Sequence, residues 1–152
     1  MPDADGRVWP AKLADVVERA RDRFGVPTVS VSDRGGLPPG TIVVDVRTGP
    51  ETQVSIIEGA RRLEDEAARE AFLASPPDAP VLVYCTAGWR SAEFTRDLRA
   101  AGVEAWNLEG GVCAWALYGQ PIIGADGQPT KRIHGFDEDW AACVPDGYEA
   151  VW

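Results

Sequence analysis

The sequence predicts an α/β domain in which helices flank a central parallel β-sheet on both faces. Two runs rich in β-branched residues, TIVVDVR at 41–47 and VLVYC at 81–85, have the near-continuous apolar character of strands that are buried on both sides. Segments with apolar residues at helical spacing lie between and after these runs. Strands that alternate with helices along a chain commonly pair in parallel within one sheet.

The first predicted element is a helix over residues 10–24, where apolar side chains recur on one helical face. Gly25 and Pro27 provide its stop signal. Residues 28–32 (TVSVS) form a candidate short strand, and the glycine- and proline-rich segment 33–40 is predicted to be a turn. The N-terminal part of the chain is therefore expected to add one helix and one short strand to the domain.

The predicted elements continue to alternate after the first long strand. Beyond the strand over 81–85, Phe94, Leu98 and Ala101 recur at helical spacing, which predicts a helix over 91–101. Gly102 ends that helix. The other predictions are a short strand at 60–63, a helix at 64–74, a strand at 103–110 and a short helix at 111–119, with 50–58 left unassigned.

Composition and charge disfavour several classes of function. The chain has 152 residues, of which 45% are hydrophobic and 26% charged, as expected for one globular domain. A net charge of −9 disfavours nucleic acid and membrane surfaces as partners, because both attract basic proteins. The acidic N-terminus does not resemble a secretory signal, and no segment approaches the roughly 18 apolar residues of a membrane span.

The cysteines indicate a reducing environment. Cys85, Cys113 and Cys143 are spaced irregularly, and the chain has a single histidine. This pattern matches neither a disulfide framework nor a set of zinc ligands. We therefore expect a cytoplasmic protein with reduced thiols and no bound metal.

Cys85 stands where a buried strand ends and a helix begins. The first amides of a helix have no partners within it, and together with the loop amides they stabilise an anion. The helix dipole and Arg90 add to this effect, and Gly88 allows the tight bend. Such surroundings lower the pKa of a cysteine, so Cys85 is predicted to act as a thiolate nucleophile without a histidine base. The alternative is a buried, inert thiol.

Several motifs resemble those of the single-domain rhodaneses, a family of thiosulfate sulfurtransferase-like proteins. CTAGWRS at 85–91 matches the family's C-x-x-G-x-R-S loop, and IVVDVR at 42–47 its strand-borne D-V-R motif. GA at 59–60 is similar to the end of the family's next element. LEGGVCAWALYGQP at 108–121 is similar to the signature L-x-G-G-x-x-x-W-x-x-x-G-x-P. The motifs occur in the family's order across residues 41–121.

The resemblance implies a rhodanese-like fold and sulfur transfer without metal or cofactor. Cys85 would take the outer sulfur of thiosulfate or a similar anionic donor as a persulfide, and a thiol, cyanide or a protein would accept it. A sulfur-carrier or redox-sensing module that hands persulfide sulfur to a protein partner remains the alternative. The expected substrate-binding residues are Thr86, Ala87, Gly88, Trp89, Arg90, Ser91 and Arg47, with Asp45 as structural support.

The length of the cysteine loop separates two related chemistries. Cysteine phosphatases and related arsenate reductases place an arginine six positions after the cysteine. Here Arg90 lies five positions after Cys85, and Ser91 occupies the sixth. The smaller loop favours a sulfur atom over a tetrahedral phosphate.

Asp45 and Arg47 end another strand, at the same edge of the predicted sheet as Cys85. Asp45 is interpreted as half of an ion pair that locks the strand end below the cysteine loop. Arg47 could complete that pair or bind donor anions, because its forked geometry serves both purposes. The segment that follows departs from the family pattern, since Ser55 and Ile56 replace the common glycine and histidine. No role is assigned to Glu51.

Residues 122–152 extend beyond the predicted rhodanese-like domain of residues 1–121, which comprises the helix over 10–24 and the core over 41–121. Phe136 and Trp140 are among the aromatic residues that make this extension too apolar for a disordered tail. We expect it to be irregular, to pack on the domain or on a partner subunit, and to be a candidate lid. Whether Cys143 resolves an oxidised Cys85 remains open.

Overall fold

The computed structural model describes residues 5–152, and within that range five strands pair in parallel in one sheet. The strands are β1 (Thr28–Val29), β2 (Ile42–Asp45), β3 (Arg61–Arg62), β4 (Val81–Tyr84) and β5 (Ala105–Leu108). The helices are α1 (Ala11–Phe24), α2 (Gly49–Val54), α3 (Glu66–Ala74), α4 (Trp89–Ala100) and α5 (Gly111–Leu117). The strand order is β1-β5-β4-β2-β3, which places β4 in the centre.

Strand β4 shows why the sheet is covered on both faces. All of its residues are buried, and successive side chains point to opposite faces. Val81 and Val83 pack in an apolar cluster with side chains of α3 and α4, whereas Leu82 and Tyr84 pack in a second cluster with α1 and α5. The predicted α/β fold, with a parallel sheet between two layers of helices, is confirmed.

The predicted boundaries of the two helices nearest the cysteine loop are close to those observed. Helix α1 ends at Gly25, which adopts φ 60° and donates its N–H to the carbonyl of Arg21 (3.0 Å). Helix α4 begins at Trp89, two residues earlier than predicted, because Gly88 adopts φ 101° and starts the helix within the loop itself. The strands β2 to β5 and the helices α3 and α5 lie inside their predicted ranges and are shorter than predicted by one to four residues.

The segment after α1 differs from its prediction. The strand expected over 28–32 ends at Val29, and a 3-10 helix spans Val31–Gly36. The Ser30 hydroxyl accepts a hydrogen bond from the Asp33 N–H (3.2 Å), which starts a helical turn in place of an extended chain. The segment that was left unassigned contains helix α2.

Residues 122–152 pack against the rest of the chain through apolar side chains. Ile122, Ile133 and Cys143 are buried in the same cluster as the side chains of α1 and α5. The regular elements of this segment are β6 (Arg132–His134), β7 (Glu149–Val151), which pairs with β6 in parallel, and a 3-10 helix over Trp140–Cys143. The segment therefore contributes part of the core.

Two further features concern residues 5–152 as a whole. No helix among them is both long and apolar enough to cross a lipid bilayer. The same residues contain no group of three or more His, Cys, Asp or Glu side chains arranged to hold a metal ion.

We predict that Ile133→Ala lowers the free energy of unfolding by about 2–5 kcal/mol, because it leaves a cavity where the side chain is fully buried. Urea denaturation followed by far-UV circular dichroism measures the change. Val151→Ala in the neighbouring strand is the control, since Val151 is only partly buried, and its loss should be smaller. Equal stability of Ile133→Ala and the wild type would show that the extension does not support the core.

Candidate active site

Cys85 follows the last residue of β4, and its loop leads directly into α4. The Gly88 N–H donates a hydrogen bond to Cys85 Sγ (3.2 Å), and the Ser91 hydroxyl donates a second one (3.3 Å). Cys85 is only 1% exposed, yet it lies at the wall of a pocket. Two hydrogen-bond donors thus converge on the sulfur, which is an arrangement that stabilises a thiolate.

The carbonyl groups of the loop are fixed from behind by the start of α5. The Val112 N–H donates to the Cys85 carbonyl (2.9 Å), and the Cys113 N–H donates to the Thr86 carbonyl (3.1 Å). Gly111, with φ 57°, makes this approach possible, because a Cβ there would lie 2.7 Å from the Thr86 carbonyl carbon and oxygen. The second glycine of the G-G motif therefore has a defined purpose, which is to bring α5 against the loop backbone.

The contacts with α5 also fix the direction of two N–H groups of the loop, because they hold the carbonyls that precede those groups. In a planar trans peptide the N–H points opposite to the carbonyl of the preceding residue. The N–H groups of Thr86 and Ala87 therefore point away from α5. The Asn107 side chain of β5 donates to the Gly88 carbonyl (3.0 Å), so the Trp89 N–H points away from Asn107. Backbone N–H groups of the loop are thus directed away from the groups that hold its carbonyls.

Asp45 and Arg47 form a buried ion pair in the sheet layer. Arg47 Nε and Nη2 donate to the Asp45 carboxylate (3.0 and 2.7 Å), and Nη2 also donates to the Ser55 carbonyl (2.7 Å). Burial disfavours the guanidinium, but Asp45 outweighs this effect and raises the pKa of Arg47. Neither side chain is exposed, and Arg47 does not line the pocket beside Cys85. The structure therefore does not bring Arg47 together with the other predicted substrate-binding residues.

Arg90 does line the pocket, and a second ion pair holds it in place. Its two terminal nitrogens donate to the two carboxylate oxygens of Glu51 (2.8 and 2.7 Å), and Nη2 also donates to the Thr86 hydroxyl (3.0 Å). Burial alone would lower the pKa of Arg90, but its hydrogen bonds to Glu51 and the nearby Cys85 raise it. Arg90 is therefore a guanidinium whose charge is largely balanced by its partner.

Glu51 is the site residue that the sequence analysis missed. It is 1% exposed, and burial would raise its pKa, but hydrogen bonds from Arg90 and Thr48 and the charge of Arg90 lower it to about 2. Thr48 and Glu51 also form a capping box at the start of α2. The T-x-x-E spacing could have predicted this cap. It gave no indication of the pairing with Arg90, which lies 39 positions away.

The other two cysteines differ from Cys85 in their surroundings. Burial raises the pKa of Cys113 well above its ordinary value, and burial also raises the pKa of Cys143 to about 11. Both thiols are therefore protonated at neutral pH. All three cysteines carry free thiols.

A pocket of about 200 Å³ opens beside the cysteine loop. It is lined by Cys85, Thr86, Ala87, Trp89 and Arg90 of the loop region and by Phe136 and Trp140 of the C-terminal extension. Cys85 and four of the six predicted loop residues thus meet at the pocket, whereas Gly88 and Ser91 are not in its lining and instead hydrogen-bond to Cys85 Sγ. The aromatic composition of the extension indicated packing but not which of its rings would reach the site.

Fold and site together define an α/β protein with a cysteine loop at the carboxyl edge of a parallel sheet. The chain belongs to the Rhodanese-like domain family, whose model matches residues 28–118. The match includes β1 to β5 and ends just after α5.

Known relatives extend this assignment. A sulfurtransferase of Allochromatium vinosum is 31% identical over 103 residues, which cover 67% of this chain and 96% of that protein. A tRNA sulfurtransferase of Desulfurococcus amylolyticus is 34% identical over 79 residues, which cover 52% of this chain but only 16% of that protein. The crystal structure of a rhodanese-related protein from Thermoplasma volcanium has a TM-score of 0.57 at 25% identity, with 64% of this chain and 97% of that chain covered.

We predict that Gly111→Ala destabilises the protein by about 2 kcal/mol or more, because the new Cβ meets the loop backbone and the positive φ is strained. Urea denaturation measures the loss. Gly119→Ala is a matched control, since Gly119 has φ 73° but no atom within 4 Å of the added Cβ. Both variants carry the strain of positive φ, and the difference between them reports the clash. Equal losses would contradict the role given to Gly111.

Glu51→Gln should lower the free energy of unfolding at neutral pH by about 1–3 kcal/mol, because Arg90 loses its counter-charge. The pKa of Glu51 is lowered from 4.5 to about 2 on folding. Its stabilising contribution is therefore fully present above pH 4.5 and is lost as the pH falls through 2. Urea denaturation at several pH values should show a steeper acid loss for the wild type than for Glu51→Gln. The exposed Glu58→Gln is the control, and parallel pH profiles of Glu51→Gln and the wild type would refute the assignment.

Proposed function

We propose that the protein transfers sulfur through a persulfide on Cys85. Membership in the family and the two sulfurtransferase relatives support sulfur transfer as the general activity. The observation that carries the finer proposal is the convergence of the Gly88 N–H and the Ser91 hydroxyl on Cys85 Sγ. These donors stabilise a thiolate, which is the nucleophilic form of cysteine.

In the first half of the reaction, the Cys85 thiolate attacks the outer sulfur of thiosulfate or a similar anionic donor. A bond forms between the two sulfurs, the donor's S–S bond breaks, and sulfite leaves with the electron pair. The persulfide that remains carries a negative charge on its outer sulfur. The N–H groups of Thr86 and Ala87, which point away from α5, and that of Trp89, which points away from Asn107, are the proposed donors to this charge.

In the second half, a nucleophilic acceptor such as cyanide or a thiol attacks the outer sulfur and releases the Cys85 thiolate. The acceptor leaves with the transferred sulfur, and the protein returns to its starting state. Both halves need only the thiolate and its hydrogen-bond donors. Cys113 and Cys143 take no part in this proposal, because their raised pKa values keep them protonated.

The two arginines receive different proposed roles. Arg90 is one third exposed in the pocket and contacts the donor, while its pairing with Glu51 fixes the loop. Arg47 supports the site from below through Asp45, since its side chain is wholly buried. The proposed partners are thus a small anionic sulfur donor and a thiol or cyanide acceptor. Free thiols on all three cysteines support a reducing compartment such as the cytoplasm.

Intact-mass measurement after incubation with thiosulfate tests the proposal. The wild type should gain one sulfur atom, and cyanide should remove it as thiocyanate. Cys85→Ser should gain none, whereas Cys113→Ala should still gain it, because the Cys113 thiol is buried and protonated. A wild type that gains no sulfur, or a Cys85→Ser variant that gains it, would contradict the proposal. Loading without release to cyanide or thiols would favour the sulfur-carrier alternative.

A further inference from the structure

The pocket beside Cys85 is closed on one side by rings that lie outside the family match. Phe136 and Trp140 belong to the extension after residue 121, and Trp89 belongs to the cysteine loop itself. These three aromatic side chains, which we call the aromatic wall, face a volume of about 200 Å³. The wall places hydrocarbon surface within the same small pocket as the reactive sulfur.

Phe136 occupies an unusual backbone conformation. It has φ 76°, and the Asp137 N–H donates to the Gly135 carbonyl (3.0 Å), which closes a three-residue turn of the rare, strained form. Glycine would adopt this conformation without strain. The ring is nevertheless 49% exposed, so burial does little to offset the strain. A strained, half-exposed phenylalanine beside a reactive thiol points to a role for the ring itself.

Contacts from other parts of the chain fix the extension's part of the wall. The centroid of the Phe136 ring lies 5.1 Å from the Arg90 guanidinium. The backbone N–H of Phe136 donates to His134 Nδ1 (3.0 Å). The Trp140 N–H donates to Asp137 Oδ1 (2.8 Å), and Lys12 Nζ lies 5.2 Å from the Trp140 ring. The rings are therefore held in place before any ligand arrives, which reduces the entropy lost on binding.

Trp89 is held in a similar way, from the side of α1. Its ring meets Phe24 edge to face, with the ring centroids 5.1 Å apart. The aromatic wall is thus braced by α1 through Phe24 and Lys12 and by α4 through Arg90. Three separate parts of the chain converge to build it.

The three rings of the aromatic wall carry no charge, so this part of the pocket disfavours a strongly hydrated ligand. Arg90 is the cation that lines it, and Glu51 balances that charge through both carboxylate oxygens. A polar group without a partner loses free energy when hydrocarbon replaces its water, whereas an apolar ring gains on burial. A cavity of about 150 Å³ lined by apolar side chains is known to hold benzene. The volume here therefore suits one aromatic ring with a short sulfur-bearing substituent.

We propose that the aromatic wall binds a small thiol with an aromatic substituent as the acceptor of the Cys85 sulfur. This inference rests on the proposed function. The acceptor thiolate attacks the outer sulfur of the Cys85 persulfide, the S–S bond to Cys85 Sγ breaks, and the electron pair returns to Sγ as the thiolate. The acceptor leaves as an aryl-substituted persulfide anion, and its thiol proton goes to solvent. No external oxidant or reductant is needed, because the two sulfur anions exchange one sulfur atom.

Sulfur-loaded protein, freed of donor, tests the acceptor preference. The protein is mixed with either phenylmethanethiol or 2-mercaptoethanol, and intact-mass measurement follows the rate at which the extra sulfur is lost. Each rate is divided by the rate of the same thiol with free cysteine persulfide, which corrects for the intrinsic reactivity of the thiol. The corrected rate of the wild type should be at least about 10-fold higher for phenylmethanethiol than for 2-mercaptoethanol. Equal corrected rates would overturn the inference.

Variants of Phe136 test whether the aromatic wall causes the preference for phenylmethanethiol. Phe136→Gly removes the ring and relieves the backbone strain, so it should fold, and its rate ratio should fall to about one. Phe136→Tyr keeps the ring and should keep the ratio. Trp152→Ala is the control within the same extension, since Trp152 is exposed and away from the pocket. A preference that survives in Phe136→Gly would overturn the assignment.

A binding measurement separates this inference from the proposed function. Phenylmethanol, which cannot accept sulfur, should slow the alkylation of unloaded Cys85 by iodoacetamide in the wild type but not in Phe136→Gly. Absence of this protection in a protein that loads sulfur would overturn the aromatic-wall inference alone. Protection in a protein that never loads sulfur would overturn the proposed function and, with it, the acceptor role.

Discussion

The site depends on one backbone contact, the approach of the start of α5 to the carbonyls of Cys85 and Thr86. This contact exists because Gly111 has no Cβ to collide with the loop. Once the carbonyls are held on the α5 side, planar geometry turns the intervening N–H groups the other way. The direction of the loop dipoles is therefore set by a neighbouring helix and not by the loop sequence alone.

The charged side chains of the site are arranged in balanced pairs, which leaves anion stabilisation largely to hydrogen-bond donors. Arg47 is neutralised by Asp45 in the interior, and Arg90 by Glu51 at the pocket. The sequence suggested that Arg90 would supply free positive charge to Cys85, but its guanidinium is engaged at both terminal nitrogens. Neutral dipoles in a buried setting can still stabilise an anion strongly, because little water competes with them. The pairs then serve mainly to fix the backbone that carries those dipoles.

Sequence reasoning succeeded where the cause was local and failed where it was tertiary. The strand ending at Cys85 and the helix after it were predictable, since apolar runs, helical spacing and glycine act within a few residues. The burial of Arg47 and the pairing of Glu51 with Arg90 depend on which elements the sheet order brings together. The position of Phe136 depends further on how the extension packs beside the cysteine loop, for which the sequence has no periodic pattern.

The extension places two aromatic rings, those of Phe136 and Trp140, in the pocket beside the cysteine loop. Aromatic rings beside the loop exclude water, and a hydrogen bond to an anion is stronger where the local dielectric constant is low. In the proposed reaction, Phe136 and Trp140 would therefore strengthen the hydrogen bonds to an anion on Cys85. A rhodanese-like domain without this extension would keep the hydrogen-bond donors of its cysteine loop. Those donors would then be more exposed to water. The conformation of Phe136 and the proposed reactivity of Cys85 are therefore linked through the one pocket that both side chains line.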